Sequence, residues 1–399
     1  MRLAPREEVY GRIKRLQVLM ADNGWSGIFI NQLVNLFYYS GTMQGMCLFV
    51  PQEGEPVLFV RKNMKRACNE SPLEHVVSVQ GFKQMPEVLK QEGYEDIAHL
   101  GLELEFLPVI FYQKYLDTFP NAKVVDAGKI LRQVRMVKSP YEQKIFLEAG
   151  KLAQSVYEKI PSMIQPGMTE IALAAKVEYE MRSRGHQGIL RSRGYNQEIY
   201  YGYILFGENS LIPSYFDGTT GGKGLSAAFA QGSSNTTLEA GRPILVDYAF
   251  VLDGYIVDLT RIYSVGKLDE RLTAAHQAAI AIQNKLVQLA TPGVKTNELF
   301  LVAQEIAKEH GFLENFMGTE EARAKFVGHG VGLELDEAPV IAGKLQFSLA
   351  EGMVLAIEPK FFFPKQGIVG VENTFIVRHD GLEKVCSLSD EITIISSQG

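Results

Sequence analysis

Cysteine is scarce in this chain of 399 residues. Only Cys47, Cys68 and Cys386 occur, with wide spacing and no Cys-x-x-Cys pair. Three widely separated thiols support neither a disulfide framework nor a thiolate zinc site. The sequence therefore favours a reducing compartment, and we expect a cytoplasmic protein.

Excess basic charge and long apolar runs are lacking as well. Lys and Arg total 40 against 46 Asp and Glu, a net charge of −6, so nothing favours binding to nucleic-acid phosphates or an anionic membrane surface. No uninterrupted apolar run approaches the roughly 20 residues that span a bilayer. Arg2, Arg6, Glu7 and Glu8 interrupt the amino terminus, which excludes a signal-peptide core there. We expect neither nucleic acid nor a membrane as a partner.

The length and the pattern of elements predict two domains, because 399 residues exceed what one hydrophobic core usually serves. The first third alternates helical and strand patterns, with a helix over 7–23 and strands over 27–30, 46–50 and 57–60. Such alternation is typical of an α/β domain. Pro51 to Gly54 lie between the last two strands and predict a hairpin. We place this domain at 1–134.

The second domain, 135–399, begins with a strong helix start. Ser139 supplies an N-cap, Pro140 occupies the first helical position, and Glu142 completes a capping box. Two helix pairs follow, each joined by a Pro-Gly turn and each followed by strands. The predicted helices are 141–160 with 169–184, and 268–289 with 296–310. We predict an α+β domain of two halves related by a pseudo-twofold axis.

Acidic residues lie in the strands that follow each helix pair. Asp253-Gly254 is suited to a two-residue hairpin turn, and counting outward from it pairs Asp247 with Thr260. Asp247 and Asp258 then become diagonal neighbours, about 7 Å apart at Cα. Two carboxylates this close need a cation. The alternative is that one aspartate belongs to the turn and the other caps a strand end.

Three further residues complete a candidate metal site. His329 lies among glycines in Gly328 to Gly332, where backbone and metal can approach closely, although a single histidine is often structural. Glu358 and Glu372 interrupt apolar strand patterns, and buried acids need partners. The loop between them does not define a register, so a shared face stays open. Four carboxylates and an imidazole suit two ions of manganese, cobalt, iron or zinc, about 3.5 to 4 Å apart.

At these positions the sequence resembles the pita-bread metallopeptidases, the family of methionine aminopeptidase, Xaa-Pro aminopeptidase and prolidase. The amino-terminal domain and the Arg135 to Glu142 junction resemble its creatinase and prolidase subgroup. The resemblance implies a dinuclear hydrolase with a bridging hydroxide and commonly a homodimer. It implies Asp247 on one metal, His329 and Glu358 on the other, with Asp258 and Glu372 bridging. Glu358 would also relay a proton.

Two histidines that such peptidases usually carry are absent. Seven residues after His329 the chain has Asp336, and about eighteen residues before Asp247 it has Phe229, Ala230 and Gln231. An ionised aspartate cannot donate to an oxyanion. Asp336 is therefore expected either to serve a peptidase of altered specificity or to act as a base or cation anchor. It could also be a surface acid in a loop.

These readings leave two functions open. The leading hypothesis is an Xaa-Pro aminopeptidase or dipeptidase acting on small peptides. The alternative is a small-molecule amidohydrolase or lyase, as in creatinase, ectoine hydrolases and a dimethylsulfoniopropionate lyase of similar fold. Arg191, Arg193 and Tyr195 are candidates to bind a substrate carboxylate, unless they form a solvated loop.

Overall fold

The computed structural model describes residues 1–319 and 323–396. Two compact units divide the chain, Met1–Arg135 and Met136–Gly399. The boundary expected from the sequence, between 134 and 135, lies one residue before this division. Among the described residues, no helix combines the length and the apolar character that crossing a bilayer requires.

The first unit is built on one six-stranded mixed sheet. Its helices are α1 (Arg6–Asn23), α2 (Leu33–Ser40), α3 (Met64–Glu70), α4 (Met85–Gln91), α5 (Val109–Thr118) and α6 (Gly128–Met136), with a 3₁₀ turn at Phe82–Gln84. Its strands are β1 (Gly27–Ile30), β2 (Cys47–Pro51), β3 (Val57–Val60), β4 (His75–Ser78), β5 (His99–Leu102) and β6 (Lys123–Asp126). The strand order is β4-β3-β2-β1-β5-β6. Cys47 pairs antiparallel with Phe59, which confirms the predicted hairpin.

Aromatic side chains fill the core of this unit. Phe29, Phe49, Phe59 and Tyr115 are all buried against one another. Phe29 lies 5.0 Å from Phe49 and 4.9 Å from Tyr115 between ring centroids, distances at which aromatic pairs attract. The unit therefore has a hydrophobic core of its own.

The second unit contains the two predicted halves. Its helices are α7 (Pro140–Tyr157), α8 (Ile160–Met163), α9 (Glu170–Ser183), α10 (Glu270–Leu289) and α11 (Thr296–Glu309), with 3₁₀ turns at Gly207–Leu211 and Leu313–Asn315. The strands of the first half, with the carboxy-terminal strand, are β7 (Gly202–Phe206), β8 (Ile244–Tyr248), β9 (Phe250–Leu252), β10 (Tyr255–Val257), β11 (Thr260–Val265) and β19 (Thr393–Ile395). Those of the second half are β12 (Phe326–Gly330), β13 (Glu337–Ala342), β14 (Val354–Ile357), β15 (Lys360–Phe363), β16 (Gly367–Gly370), β17 (Asn373–Arg378) and β18 (Gly381–Lys384).

The strands of this unit form two main sheets. One has the order β19-β11-β8-β7 and the other β13-β12-β14-β17-β18, with short two-stranded pairs β9-β10 and β15-β16. An isolated antiparallel bridge joins Thr260 to Glu372 and so links the two halves. This is the pita-bread arrangement, and the halves meet at the strands that carry the acidic residues.

Helix α7 begins as predicted but ends earlier. The Ser139 side chain accepts from Glu142 N, and the reciprocal bond completes the capping box. The expected continuous helix to Ile160 is wrong, because α7 ends at Tyr157 and the short helix α8 follows with Pro161 in its first turn. Proline lacks the N–H that a continuing helix requires, whereas a first turn tolerates it.

Candidate metal-binding site

Asp247 lies on β8 and Asp258 directly follows β10, in the register that the turn predicted. Asp253 and Gly254 both have positive φ values, 49° and 90°, as a type I′ turn requires. Leu252 pairs with Tyr255, and Asp247 pairs with Thr260. Both aspartates therefore reach the same cleft.

Glu358 and Glu372 face each other across the second half. Ile357 pairs with Asn373, and beyond the glutamates Lys360 pairs with Gly370. The same antiparallel count places Glu358 opposite Glu372. The two glutamates therefore share one face of the hairpin, a question that the sequence left open, and both carboxylates are buried.

His329 occupies β12 between two glycines. A methyl group on Gly328 would collide with the Ala356 carbonyl oxygen, and one on Gly330 with the Ala338 carbonyl. These glycines therefore allow close packing of the neighbouring strands, which confirms the expected close approach of backbone; the approach of a metal stays a prediction. The register of β12 with β13 shifts between Phe326 and Gly328 and again between His329 and Gly330.

Three of the five predicted ligands form a compact set that fits one divalent ion. Asp258, His329 and Glu372 each offer one ligand atom, and these atoms lie within 4.8 Å of one another. All three residues are buried. The carboxylate of Glu358 adjoins them, with Oε1 3.6 Å from His329 Nε2. Carboxylates with one imidazole form a donor set suited to manganese, iron, cobalt or zinc.

A lysine that the sequence analysis did not consider lies among the carboxylates. Lys360 Nζ is 2.8 Å from Glu358 Oε2, 3.0 Å from Asp247 Oδ2 and 3.1 Å from Glu372 Oε2. Its side chain is 1% exposed. A buried lysine two residues after Glu358, on the same face of an extended chain, was the available signal. Asp247 thus has a cation partner within the protein.

The buried charges shift one another's pKa values. Burial opposes the charge on Lys360, but Asp247, Glu358 and Glu372 raise its pKa well above the ordinary value, so it is an ammonium. Burial and the neighbouring Asp247 raise the pKa of Asp258 to about 7. Burial and Asp258 likewise raise the pKa of Glu372 well above its ordinary value. The single positive charge of Lys360 is therefore not enough to neutralise these carboxylates.

Hydroxyl groups orient three of the carboxylates. Thr219 Oγ1 donates to Glu358 Oε2 at 2.8 Å, Thr220 Oγ1 to Asp247 Oδ2 at 3.1 Å, and Thr260 Oγ1 to Glu372 Oε2 at 2.8 Å. Such outer contacts determine the orientation of ligands. Thr219 and Thr220 come from the 217–221 loop, which the sequence analysis did not connect with the site.

Arg261 fixes the strand that carries Glu372. Its Nη1 donates to the carbonyl oxygens of Glu372 at 2.8 Å and Thr260 at 2.7 Å, and Nη2 donates to Asn373 Oδ1 at 2.7 Å. An ion pair with Asp390 at 3.0 Å holds the guanidinium. Hydrogen bonds from one buried arginine thus stabilise the bridge between Thr260 and Glu372 that joins the two halves.

The cleft above the carboxylates has a volume of about 50 Å³, and Asp336 lies at its edge. The Asp336 side chain is 46% exposed, and Oδ1 is 3.6 Å from His329 Nδ1. Partial burial raises the pKa of Asp336, against the lowering effect of His329. Burial lowers the pKa of His329, but Asp336 and the other carboxylates outweigh it and raise that pKa overall.

The second position that lacks the family histidine lies beside the cleft. Gln231 Oε1 accepts from Tyr203 Oη at 2.7 Å, and Tyr203 lines the cleft. The ring of Phe229 packs 5.8 Å from that of Tyr200. Gln231 therefore reaches the cleft through a tyrosine hydroxyl.

The three candidate substrate residues are not brought together at the carboxylates. Arg193 and Tyr195 line an outer cavity that also includes His329 and Asp336. Arg193 Nη1 is 3.7 Å from Glu334 Oε1, and Tyr195 is 90% exposed. Among the described residues that line either cavity, Arg191 is not included.

Comparison with known families agrees with this geometry. The model of metallopeptidase family M24 matches residues 144–379, more than half of the chain, and the creatinase/prolidase N-terminal domain matches residues 12–137. The chain belongs to metallopeptidase family M24. The resemblance inferred from its motifs is thereby confirmed, and so is the class of enzyme, a metallohydrolase. Divalent metal cofactors are typical of this family.

Relatives of this M24 chain match it over nearly its whole length. An Xaa-Pro dipeptidase of Pyrococcus furiosus is 27% identical and a putative dipeptidase of Bacillus subtilis 26% identical, each over 96% of this chain and 99% of the relative. The crystal structure of the prolidase from Pyrococcus horikoshii has a TM-score of 0.78 at 26% identity, covering 94% of this chain and 97% of that one. An Xaa-Pro dipeptidase structure from Bacillus anthracis has a TM-score of 0.82 at 22% identity, covering 97% and 100%.

Proposed function

We propose that this M24 enzyme is a metal-dependent Xaa-Pro peptidase that cleaves short peptides before proline. The proposal rests on the buried group of Asp258, His329 and Glu372, which lies beside Glu358. Relatives that match the chain over nearly their full length include Xaa-Pro dipeptidases. An outer cavity of about 450 Å³ shares His329 and Asp336 with the cleft, and this volume falls within the usual range for small-ligand sites. A dipeptide or tripeptide is the class of substrate that this space suits.

The roles of the protein groups follow from their positions. Asp258, His329 and Glu372 would hold a divalent ion, which would supply Lewis acidity toward the scissile carbonyl. Glu358 accepts the proton of the attacking water, because its carboxylate lies beside His329 and opens on the cleft. We propose manganese or cobalt as the ion. Glu358 is thus the proposed general base.

Hydrolysis of a matched peptide panel tests this proposal. Xaa-Pro dipeptides should be cleaved after loading with manganese, whereas the Xaa-Ala counterparts should be poor substrates and a chelator should abolish turnover. Tripeptides distinguish a dipeptidase from an aminopeptidase. Glu358→Gln should lower kcat about 10²- to 10⁴-fold, while Glu309→Gln, at an exposed helix end, should not. Turnover that is indifferent to chelator, or no peptide cleavage at all, would contradict the proposal.

Asp336 supports a second candidate, a small-molecule amidase or lyase. Its partly exposed carboxylate, when ionised, can only accept hydrogen bonds, at a position where the family resemblance implies a donor. A carboxylate there suits a cationic substrate group. Small zwitterionic amides and sulfonium compounds should therefore be assayed beside the peptides. If one is the substrate, Asp336→Asn should raise its KM at least about tenfold, the loss of a charge-assisted contact; unchanged kinetics would reject that anchor.

We further propose that the enzyme acts in the cytoplasm as a homodimer. Free thiols at Cys47, Cys68 and Cys386 support a reducing compartment. Dimers are common in the creatinase and prolidase subgroup that the chain resembles. Arg193, which lines the outer cavity together with Tyr195, is the residue we propose to bind a substrate carboxylate.

A further inference from the structure

The ammonium of Lys360 lies among three of the four carboxylates of the site. Asp247, Glu358 and Glu372 each place an oxygen within 3.1 Å of its Nζ. An ammonium has three hydrogens to donate, and these three carboxylates use all of them. The hydroxyl of Thr219, at 3.2 Å, adds a fourth polar neighbour.

The backbone directs Lys360 to this position. Extended residues two apart face the same side of a strand, so Lys360 follows Glu358 onto the face of the site. Gly370 pairs with Lys360 across the β15–β16 hairpin, and a methyl group there would come within 2.7 Å of Lys360 Cα. The glycine leaves the space that the start of the lysine side chain requires. The contact is therefore a consequence of the register of the hairpin.

Glu358 divides its two oxygens between two cation positions. Oε2 binds the ammonium at 2.8 Å, and Oε1 lies 3.6 Å from His329 Nε2. Glu372 belongs to both positions as well, since it contacts Lys360 and also forms a set with Asp258 and His329. The site thus has two adjacent cation positions, and a side chain of the protein fills one of them.

The balance of charge agrees with this division. Asp247, Asp258, Glu358 and Glu372 carry four negative charges when ionised, and Lys360 carries one positive charge. One divalent ion brings the positive total to three. A second ion would have to enter beside a buried ammonium, where repulsion is only weakly screened.

We propose that Lys360 replaces one of the two metal ions that the family resemblance implies, so that the enzyme binds a single divalent ion through Asp258, His329 and Glu372. The inference deepens the proposed metal-dependent function and rests on it. The Asp247 side of the site then supplies fixed charge from the protein, and the Lewis acid is confined to the His329 side.

Metal stoichiometry tests the inference without any assay of activity. The wild-type protein, dialysed after loading with Mn²⁺, should contain one ion per chain by elemental analysis and show the electron paramagnetic resonance spectrum of isolated Mn²⁺. Lys360→Ala should bind two ions and show the spin-coupled spectrum of a pair. Lys344→Ala, which removes an exposed lysine, should behave as the wild type.

The possible outcomes separate the two proposals. Two ions or a coupled pair in the wild type would overturn the role of Lys360 and leave the metal-dependent function intact. A folded Lys360→Ala protein that still binds one ion would also overturn it. No bound metal in either protein would remove the proposed metal dependence itself. If Lys360→Ala does not fold, the count and spectrum of the wild type decide alone.

Discussion

Several buried charged residues in the second unit contact residues of opposite charge. Lys138 and Glu337, both nearly inaccessible, form an ion pair at 3.2 Å, and Glu337 also accepts from Leu333 N at 2.9 Å. Burying a charge without such partners is costly. Lys360 follows the same rule, with the difference that its partners are residues expected to bind metal. A single side chain thereby changes what the site can hold.

Stability should depend on pH through His186, a buried histidine away from the metal-binding residues. Its ring stacks on Tyr201 at 4.5 Å, and Nδ1 accepts from Gly188 N at 2.8 Å. Burial, together with the nearby charge of Arg182, lowers its pKa from 6.5 to about 4. Between these values the unfolded chain binds a proton that the folded protein does not, so stability falls as the pH falls.

The loss should be about 1 kcal/mol by pH 5.5 and about 3 kcal/mol near pH 4. Denaturant unfolding of the wild type and of His186→Gln at pH 7 and pH 5.5 measures it. The wild type should lose about 1 kcal/mol more than the variant over this interval. Equal losses in both proteins would show that His186 does not contribute.

At the scale of elements, the β14–β17 segment determines the geometry of the site. One antiparallel register runs from the Ile357–Asn373 pair to the Lys360–Gly370 pair. This register places two glutamates and the lysine on one face. A shift by one residue would turn all three away from the cleft.

Gly370→Ala should destabilise the second unit and disturb the lysine contact. The added methyl would approach Lys360 Cα at 2.7 Å and Cγ at 2.9 Å, so the hairpin must shift. Such overpacking typically costs about 1 to 3 kcal/mol. Thermal unfolding of the variant measures the loss, and Gly81→Ala, where a methyl meets nothing within 4 Å, is the matched control. Equal unfolding temperatures for Gly370→Ala and the wild type would contradict this packing.

At the scale of the whole molecule, the proposed ligands all belong to the second unit and come from both of its halves. Asp258 follows β10 in the first half, and His329 and Glu372 belong to the second. A bound ion would therefore link the halves directly. The first unit, with its own aromatic core, contributes none of these ligands.

Binding of Mn²⁺ should therefore slow hydrogen exchange mainly in the second unit. A ligand at 100 times its Kd stabilises the native state by about 2.7 kcal/mol. Mass-spectrometric exchange with and without the ion should show increased protection on β11, β12, β14 and β17. Asp258→Asn should lose this effect because it removes a charged ligand. Protection confined to the first unit in the wild type would contradict the placement of the ion.

The local pattern was sufficient for some parts of this site and not for others. The Asp253-Gly254 turn has one favoured geometry, so the pairing of Asp247 with Thr260 could be predicted. The loop between Glu358 and Glu372 has no such preference, so their register could not. The close backbone approach at Gly328 could be predicted, but the strand that approaches could not, because the partner lies elsewhere in the chain.

The sequence by itself predicted the two domains, the start of α7 and the residues proposed to bind a cation, because these predictions depend on composition, periodicity and short-range turn chemistry. Only the tertiary structure decided which cation each carboxylate faces. Asp247 and Lys360 are separated by more than a hundred residues, and their contact arises from the packing of two halves. Electrostatic pairing depends on distance in space, which no local pattern specifies.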